Sequence, residues 1–237
     1  ERRVIAVREA DPAPFRQGLA QIWAEPQSRA FTLFVFLSMT AYFMQELILE
    51  PFAGLVFGFG VGQSTQLSGA QNGGVFVGML AVGIAATGLR IGSLRQWVVA
   101  GCLGSAVALC VIAGLGHTGL GLLVPAVIAL GVFNGMFAVA AIGSMMALAG
   151  QGRGAREGTR MGLWGAAQAL AAGFGGLLGA ASVDILRLWL PANSAFGLVF
   201  VAEAALFVIA AVIALRVIDA TRGGRHPRPS AIAIPGE

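Results

Sequence analysis

Carboxyl side chains inside apolar segments are the residues of this sequence best suited to chemistry. Glu46 and Glu50 lie in the run QELILEPFAG, and Pro51 follows them directly. Four residues apart on a helix, the two carboxyls project from the same face. Because proline removes a backbone donor and clashes with the carbonyl four residues earlier, we expect the helix to kink or break there. A broken helix beside two carboxyls is typical of a binding site in a membrane transporter.

This carboxyl pair predicts proton coupling or hydrogen bonding to a ligand, because two desolvated carboxyls this close would not both ionise readily. The alternative is that the kink brings Glu50 to the lipid headgroups, where it is simply solvated. Three more polar residues lie in apolar runs and are candidates for the same site. Glu203 is either a functional group or a buried, hydrogen-bonded structural carboxyl. Asn134 and Gln168 either line a cavity or bridge helices.

The sequence contains no residue pattern typical of an enzyme. It has no Ser/His/Asp set, no CxxC motif and no glycine loop that follows a strand. Cys102 and Cys110 are interpreted as small residues of an apolar helix. We therefore predict a protein that is not an enzyme and that has no metal site.

The elements that position these residues follow from the composition. Of 237 residues, 57% are apolar and only 11% are charged, and the mean hydropathy is +0.82. Soluble domains carry about 25% charged residues. Too few polar groups remain to cover a water-facing surface, which excludes a soluble enzyme, and the same composition excludes intrinsic disorder.

Apolar stretches long enough to cross a bilayer occur six times. Each is near or above the ~20 residues needed to span ~30 Å of hydrocarbon. The sequence therefore predicts an all-α membrane protein with six transmembrane helices, at about 30–59, 70–89, 97–115, 120–149, 159–185 and 196–217.

The ends of the chain differ from this bundle of spans at 30–217. Residues 1–29 are predicted to form a cytoplasmic linker, and residues 218–237 a disordered cytoplasmic tail. The linker includes an apolar stripe at helical spacing, which predicts a short amphipathic helix on the membrane surface or packed on protein: Phe15, Leu19, Ile22 and Trp23. The chain begins in a polar segment without the pattern of a signal peptide, and we expect it to be part of a longer protein.

The basic residues fix a predicted orientation. All 15 are arginine. With six crossings, the head, the second and fourth connectors and the tail share one side, and only Arg187 lies opposite. The positive-inside rule then places both termini in the cytoplasm. Because topology explains the basic charge, no nucleic-acid partner is expected.

Small residues recur at four-residue spacing in two of the predicted spans. Such residues let helix backbones approach closely in lipid. They either pack the bundle or form a sliding or cavity-lining surface. The stripes are Gly131, Gly135 and Gly143 in the fourth span, and Gly158, Gly162 and Ala166 together with Gly165, Ala169 and Gly173 in the fifth.

Three long runs carry a family resemblance that covers nearly all of residues 30–216. They are ILEPFAGLVFGFGVGQSTQLSGAQNGGVFVGML at 48–80, REGTRMGLWGAAQALAAGFGGLLGA at 156–180 and AFGLVFVAEAALF at 195–207. These runs resemble the PucC/LhaA family, the light-harvesting complex assembly or bacteriochlorophyll delivery branch of the major facilitator superfamily. The match is to the C-terminal six-helix half of a twelve-helix bundle, and the sequence lacks the N-terminal half.

The resemblance implies a non-enzymatic assembly factor for photosynthetic light-harvesting complexes in a bacterial inner, intracytoplasmic membrane. The implied partners are bacteriochlorophyll, antenna polypeptides, the lipid bilayer and the N-terminal half of the same protein. Two alternatives are a proton-coupled small-molecule transporter and a permanent structural subunit of a photosynthetic complex. The connector GLRIGSLRQW lacks the aspartate that such transporters often carry there, which argues against ordinary gating.

Overall fold

The structure is a computed structural model that describes residues 15–89, 91–149 and 157–218. Four parts lie outside the described residues: the first 14 residues of the predicted linker, Arg90, the connector residues 150–156, and residues 219–237 of the tail predicted at 218–237.

The described chain consists of helices joined by short connectors. A short helix, α1 (Phe15–Ala24), precedes six long ones. These six are long and apolar enough to cross a membrane, so the predicted all-α membrane class is confirmed and the chain is a multi-pass membrane protein. They are α2 (Pro26–Phe57), α3 (Val61–Gly83, continued by a π-helical turn at Ile84–Gly88), α4 (Leu94–Thr118), α5 (Leu123–Ala149), α6 (Glu157–Leu186) and α7 (Ala192–Val217).

Helix α3 begins at Val61, well before the predicted start near residue 70. The segment at 60–69, expected to be a connector, is therefore almost entirely helical. The backbone N–H of Gly60 donates to Oε1 of Gln63 at 3.0 Å, which stabilises the first turn. The serine, threonine and glutamine side chains of the segment at 60–69 lower its hydropathy but do not prevent it from forming a helix. For this reason, the hydropathy of the sequence placed the start of α3 too late.

Of the kink or break predicted at Pro51, the break is wrong, and the kink stays a prediction. Helix α2 continues through Pro51 and ends at Phe57. Proline costs one backbone hydrogen bond, and the intact turns on either side keep the segment helical. The two carboxyls therefore lie on a continuous helix rather than beside an unwound one.

Helix packing divides the bundle into two related halves. Helix α3 packs on α5 and α6 packs on α2, while α4 packs on both α5 and α7, and α2 also packs on α7. Exchanging α2, α3 and α4 with α5, α6 and α7 converts this pattern into itself. Because each unit has three crossings, the two units have opposite directions. Inverted three-helix repeats of this kind make up each six-helix half of a major facilitator bundle, which agrees with the predicted half-bundle.

The two ends of the bundle differ in charge. We call the end where α2, α4 and α6 begin the arginine-rich end, because the described arginines there are Arg29, Arg95, Arg160 and Arg216. The opposite end, called the arginine-poor end, carries Arg187 just after α6.

Glycines bring α3 and α5 into backbone contact. A Cβ on Gly74 would lie 2.5 Å from the carbonyl oxygen of Ile128, and one on Gly78 would overlap the carbonyl oxygen of Val132. In return, Gly131 and Gly135 of α5 face the backbone of α3 just as closely. Part of the stripe predicted in the fourth span thus packs the bundle.

The stripe predicted in the fifth span behaves differently. A Cβ would meet open space at Gly158, Gly162, Gly165 and Gly173 of α6. The close approach of α6 to α2 uses two other glycines: a Cβ on Gly175 or Gly179 would lie 3.0 Å or 2.8 Å from a carbonyl oxygen of α2. The predicted α6 stripe therefore faces away from the bundle described here.

An ion pair joins the start of α6 to the junction of α1 and α2. Nη2 of Arg160 donates to both carboxyl oxygens of Glu25 at 2.9 and 2.8 Å, and Ser28 Oγ donates to the same carboxylate at 2.9 Å. The Arg160 side chain is only 8% exposed. A guanidinium buried to this degree depends on its partner.

We expect Glu25→Gln to destabilise the bundle by about 1–3 kcal/mol, because it leaves the buried charge of Arg160 without its counter-ion. A thermal melt of the purified protein followed by circular dichroism measures the loss. Glu157→Gln, which alters an exposed glutamate one turn earlier on α6, is the matched control and should leave the melt unchanged. Equal melting temperatures for Glu25→Gln and the wild type would contradict the prediction.

Candidate functional site

The two carboxyls of α2 lie at a small cavity between α2 and α3, which we call the polar cavity. Its volume is about 150 Å³. Glu46 and Glu50 lie about 17 and 11 Å from the end of α2, in the half of the bundle toward the arginine-poor end. All seven lining residues are polar: Tyr42, Gln45, Glu46 and Glu50 from α2, and Ser68, Gln71 and Asn72 from α3.

Ser68 links the carboxyl pair to α3. Its Oγ donates to Oε1 of Glu50 at 2.5 Å, across the cavity from α2 to α3. A hydroxyl donor to a carboxylate makes one of the shorter and stronger hydrogen bonds found in proteins. The early start of α3 is what brings Ser68 to this position, because the residue lies in the segment expected to be a connector.

Gln45 is the buried member of the cavity lining. The residue is 1% exposed, and neither its amide nitrogen nor its amide oxygen has a hydrogen-bond partner within the described part of the chain. A buried amide without a partner is costly, so such groups are almost always paired in folded proteins. The amide of Gln45 is therefore available to bond a polar group that reaches it from the cavity.

The chemistry of the polar cavity follows from its lining. It offers carboxyl and amide oxygens as acceptors, and amide, hydroxyl and phenol groups as donors. Carboxylate and amide oxygens are also suitable ligands for a hard cation such as Mg²⁺. Sites that enclose a drug-sized ligand have volumes of about 300–1,000 Å³, so this cavity holds a polar group rather than a whole large ligand.

Asn134 and Glu203 lie elsewhere, in the bundle core. Asn134 bridges helices: Ser105 Oγ on α4 donates to its Oδ1 at 2.8 Å, whereas its Nδ2 has no partner among the residues described. Glu203 of α7 is completely buried. Neither of its carboxyl oxygens has a partner in the described chain. The alternative that Glu203 is a structural carboxyl predicted such a hydrogen bond.

Gln168 is separated from the carboxyl pair. The contacts of Gly175 with Thr40 and of Gly179 with Met44 set the register between α6 and α2. This register places Gln168 level with the first turns of α2, about 20 Å along the bundle axis from Glu46. The structure thus brings together Glu46 and Glu50, next to Pro51, and leaves the other three candidates outside the polar cavity.

Sequence reasoning missed five residues of the cavity lining: Tyr42, Gln45, Ser68, Gln71 and Asn72. Tyr42 had a usable signal, its spacing of four residues from Glu46, whereas Gln45, directly before Glu46, had none. No local signal identified the residues of α3, because pairing α2 with α3 depends on the packing of the whole bundle.

A second, larger cavity of about 510 Å³ lies at the arginine-rich end between α4, α5 and α7. Its lining is mostly apolar, with Ser93, Arg95, Gln96 and Ser144 as the polar residues. It does not include any of the carboxyls discussed above.

Comparison with known proteins identifies the family. The model of the family described as "PUCC protein" matches residues 1–222 of the chain. The chain belongs to the PUCC family. The resemblance drawn from the three sequence runs is thereby confirmed. No solved structure matches this PUCC chain.

Curated relatives of the PUCC chain come from Rhodobacter capsulatus. The chain is 66% identical over 221 residues to the "Bacteriochlorophyll synthase 44.5 kDa chain", a match that covers 93% of the chain and 52% of that relative. It is 30% identical over 194 residues to an "Uncharacterized protein in puhA-bchM intergenic region", covering 76% of the chain and 37% of the relative. It is 27% identical over 232 residues to "Protein PucC", covering 94% and 48%. The chain spans about half the length of these relatives, or less.

Proposed function

We propose that the protein containing this chain is a non-enzymatic membrane factor that assembles bacterial photosynthetic light-harvesting complexes, by binding or delivering bacteriochlorophyll, antenna polypeptides or both. The observation that carries this proposal is the 66% identity, over 93% of the chain, to a relative whose name links it to bacteriochlorophyll. Membership of the PUCC family supports the same conclusion.

The polar cavity suits the polar parts of such a pigment cargo. Glu46 and Glu50 offer oxygen ligands to its magnesium, and the unpartnered amide of Gln45 offers a donor to a carbonyl group. A pigment ring does not fit into 150 Å³. The ring would instead lie against apolar side chains that α3 and α6 leave exposed, including Phe76, Leu80, Phe174 and Leu177.

The N-terminal half of the same protein is the proposed partner for these exposed faces. Helices α3 and α6 are the two least buried spans, with 22% of their most apolar windows covered. The open glycines of α6 allow a further helix to approach closely. The N-terminal half of the protein would then cover the open side of the polar cavity and complete the site.

The proposed location is the bacterial inner, intracytoplasmic membrane, with the arginine-rich end and both termini in the cytoplasm. The positive-inside rule supports this orientation. In it, the polar cavity lies in the periplasmic half of the bundle.

The decisive experiment is gentle purification of the full-length protein from phototrophic membranes, followed by an absorption spectrum and identification of co-purifying subunits. We expect a bacteriochlorophyll band, antenna polypeptides, or both. An unrelated multi-pass protein purified from the same membranes is the control. Absence of both pigment and antenna polypeptides would overturn the proposal, and stoichiometric retention in the mature complex would favour a permanent subunit over a transient factor.

The second candidate is a proton-coupled transporter, favoured by the carboxyl pair and its hydrogen bond to Ser68. For such a carrier, Glu46→Gln should abolish pH-dependent uptake of the carried solute into vesicles, whereas unchanged uptake would exclude this role for Glu46.

A further inference from the structure

Two aromatic clusters enclose the middle of the bundle. Near the arginine-poor end, the ring of Phe52 on α2 lies 5.5 and 5.0 Å from those of Phe196 and Phe200 on α7. Nearer the arginine-rich end, the ring of Phe137 on α5 lies 6.1 Å from that of Phe34 on α2 and 6.0 Å from that of Phe207 on α7. These contacts fix which faces of α2, α5 and α7 meet in the core, and at what level.

Gln45 and Glu203 lie between the clusters, on facing helices and at one level. Gln45 is seven residues before Phe52, and Glu203 is seven residues after Phe196, so each lies about 10 Å inward along its own helix. Seven residues also return a helix to within about 20° of the same direction, so both side chains point into the core as the phenylalanines do.

Asn134 lies at the same level on the third helix. It is three residues from Phe137, and Glu203 is four residues from Phe207, on helices whose rings touch. The two residues therefore lie about 5 and 6 Å from the same aromatic cluster, measured along their helices. We call Gln45, Asn134 and Glu203 the polar layer.

The polar layer is buried and incompletely hydrogen-bonded. Its members are at most 1% exposed, and five of their polar atoms have no partner in the part of the chain that is described. Each such atom would cost free energy if it stayed unpaired in an apolar core. Unpaired groups on three helices at one level are the environment in which proteins hold buried water, which satisfies several polar groups at once.

Gln45 connects the polar layer to the polar cavity. Its side chain shares the core-facing side of α2 with Phe52, and it also lines the cavity that contains Glu46 and Glu50. The amide of Gln45 can therefore hydrogen-bond on one side to water or a hydronium ion in the cavity, and on the other side to water in the core.

On α2, α4 and α5, the described titratable groups nearest to Glu203 include no arginine. On α2, Tyr42 and Glu46 line the polar cavity rather than the core. On α4, His117 lies close to Gly197 of α7, and Cys102 shares the face of Ala113, which also approaches Gly197. The core side of α5 presents the amide of Asn134 and, over its described length, no titratable group. A buried carboxylate without a cationic partner is costly, and binding a proton removes that cost.

We propose that Glu203 is an internal proton-binding site, reached from the polar cavity through Gln45 and water held in the polar layer. In the binding step an O–H bond of a hydronium ion in the cavity breaks and an O–H bond forms on a carboxylate oxygen of Glu203. No other bond changes and no electrons are transferred. This inference does not rest on pigment or antenna binding.

Infrared spectroscopy of the purified full-length protein tests the site. A protonated carboxylic acid has a C=O stretch separate from that of a carboxylate, and this band shifts when its proton is replaced by deuterium. We expect a band that shifts in D₂O in the wild type and in Glu157→Gln, and that is lost in Glu203→Gln. The proposal is overturned if the Glu203→Gln spectrum matches the wild type, or if the Glu203 band never shifts in D₂O.

The route through Gln45 has its own test. We expect Gln45→Leu to slow the deuterium shift of the Glu203 band by about tenfold, which corresponds to ~1.4 kcal/mol. Glu157→Gln, at the exposed start of α6 and away from both the polar cavity and the polar layer, should leave the rate unchanged. An unchanged rate in Gln45→Leu excludes this route. Gln45→Met is the second variant if thermal melts show that the leucine variant is unfolded.

Discussion

Gly78→Ala is expected to destabilise the bundle by about 2–3 kcal/mol, because overpacking at a tight contact forces the backbone to shift. The added Cβ would overlap the carbonyl oxygen of Val132, which belongs to the backbone of α5 and cannot rotate away. The two helices must then separate along their whole line of contact, and the reciprocal packing of Gly131 and Gly135 is lost with it.

Gly73→Ala is the matched control, five residues away on the same helix. A Cβ at this position meets open space. Alanine also restricts the unfolded chain more than glycine does, so this change should be neutral or stabilising by up to about 1 kcal/mol. Thermal melts of both purified variants give the comparison. Similar losses in the two variants would contradict the assignment of the Gly78 effect to the α3–α5 contact.

The second large effect is expected from the double change Glu46→Gln and Glu50→Gln. If the polar cavity holds the magnesium or a polar group of the cargo, loss of both carboxylates should reduce the bacteriochlorophyll retained by the purified protein at least about tenfold, or ~1.4 kcal/mol. Glutamine keeps the size of the side chain and removes its charge, so the change tests chemistry rather than packing.

Pigment content per protein, measured by absorption after extraction, reports this result. Glu157→Gln, the exposed glutamate at the start of α6, provides a control with the same chemical change. Ser68→Ala should give an intermediate loss, because it leaves both carboxyls present and removes the hydrogen bond to Glu50. Full retention of pigment in the double variant would exclude the polar cavity as the cargo site.

Hydropathy was sufficient to predict the six spans, because a bilayer requires about 20 apolar residues per helix whatever the neighbours. It failed where a helix is polar: the Gln- and Ser-rich start of α3 carries too little hydropathy to be recognised. That error concealed Ser68 of the polar cavity, whereas Gln71 and Asn72 lie within the predicted span at 70–89 and were overlooked there. The opposite error occurred at Pro51. Proline is a strong local signal for the end of a helix, but α2 continues through it.

The partners of the buried polar residues could not be predicted from the sequence. Asn134 and Glu203 stood out because polar groups are rare in spans. Whether they share a level with Gln45 depends on the register between helices, which is set by ring contacts such as Phe52–Phe200 and Phe137–Phe207. These contacts join residues far apart in the chain, and no local pattern encodes them.

The tight glycine contacts have a mechanical consequence. Helices α3 and α5 are fastened backbone to backbone, and so are α2 and α6, whereas α2 and α3 touch each other only sparingly. Each fastened pair should therefore move as a rigid block, and the two blocks are joined mainly through α4 and α7, which pack on each other and on α5 and α2. Where α2 and α3 meet directly, the hydrogen bond from Ser68 to Glu50 ties one block to the other, so relative motion of the blocks would be felt first at the polar cavity.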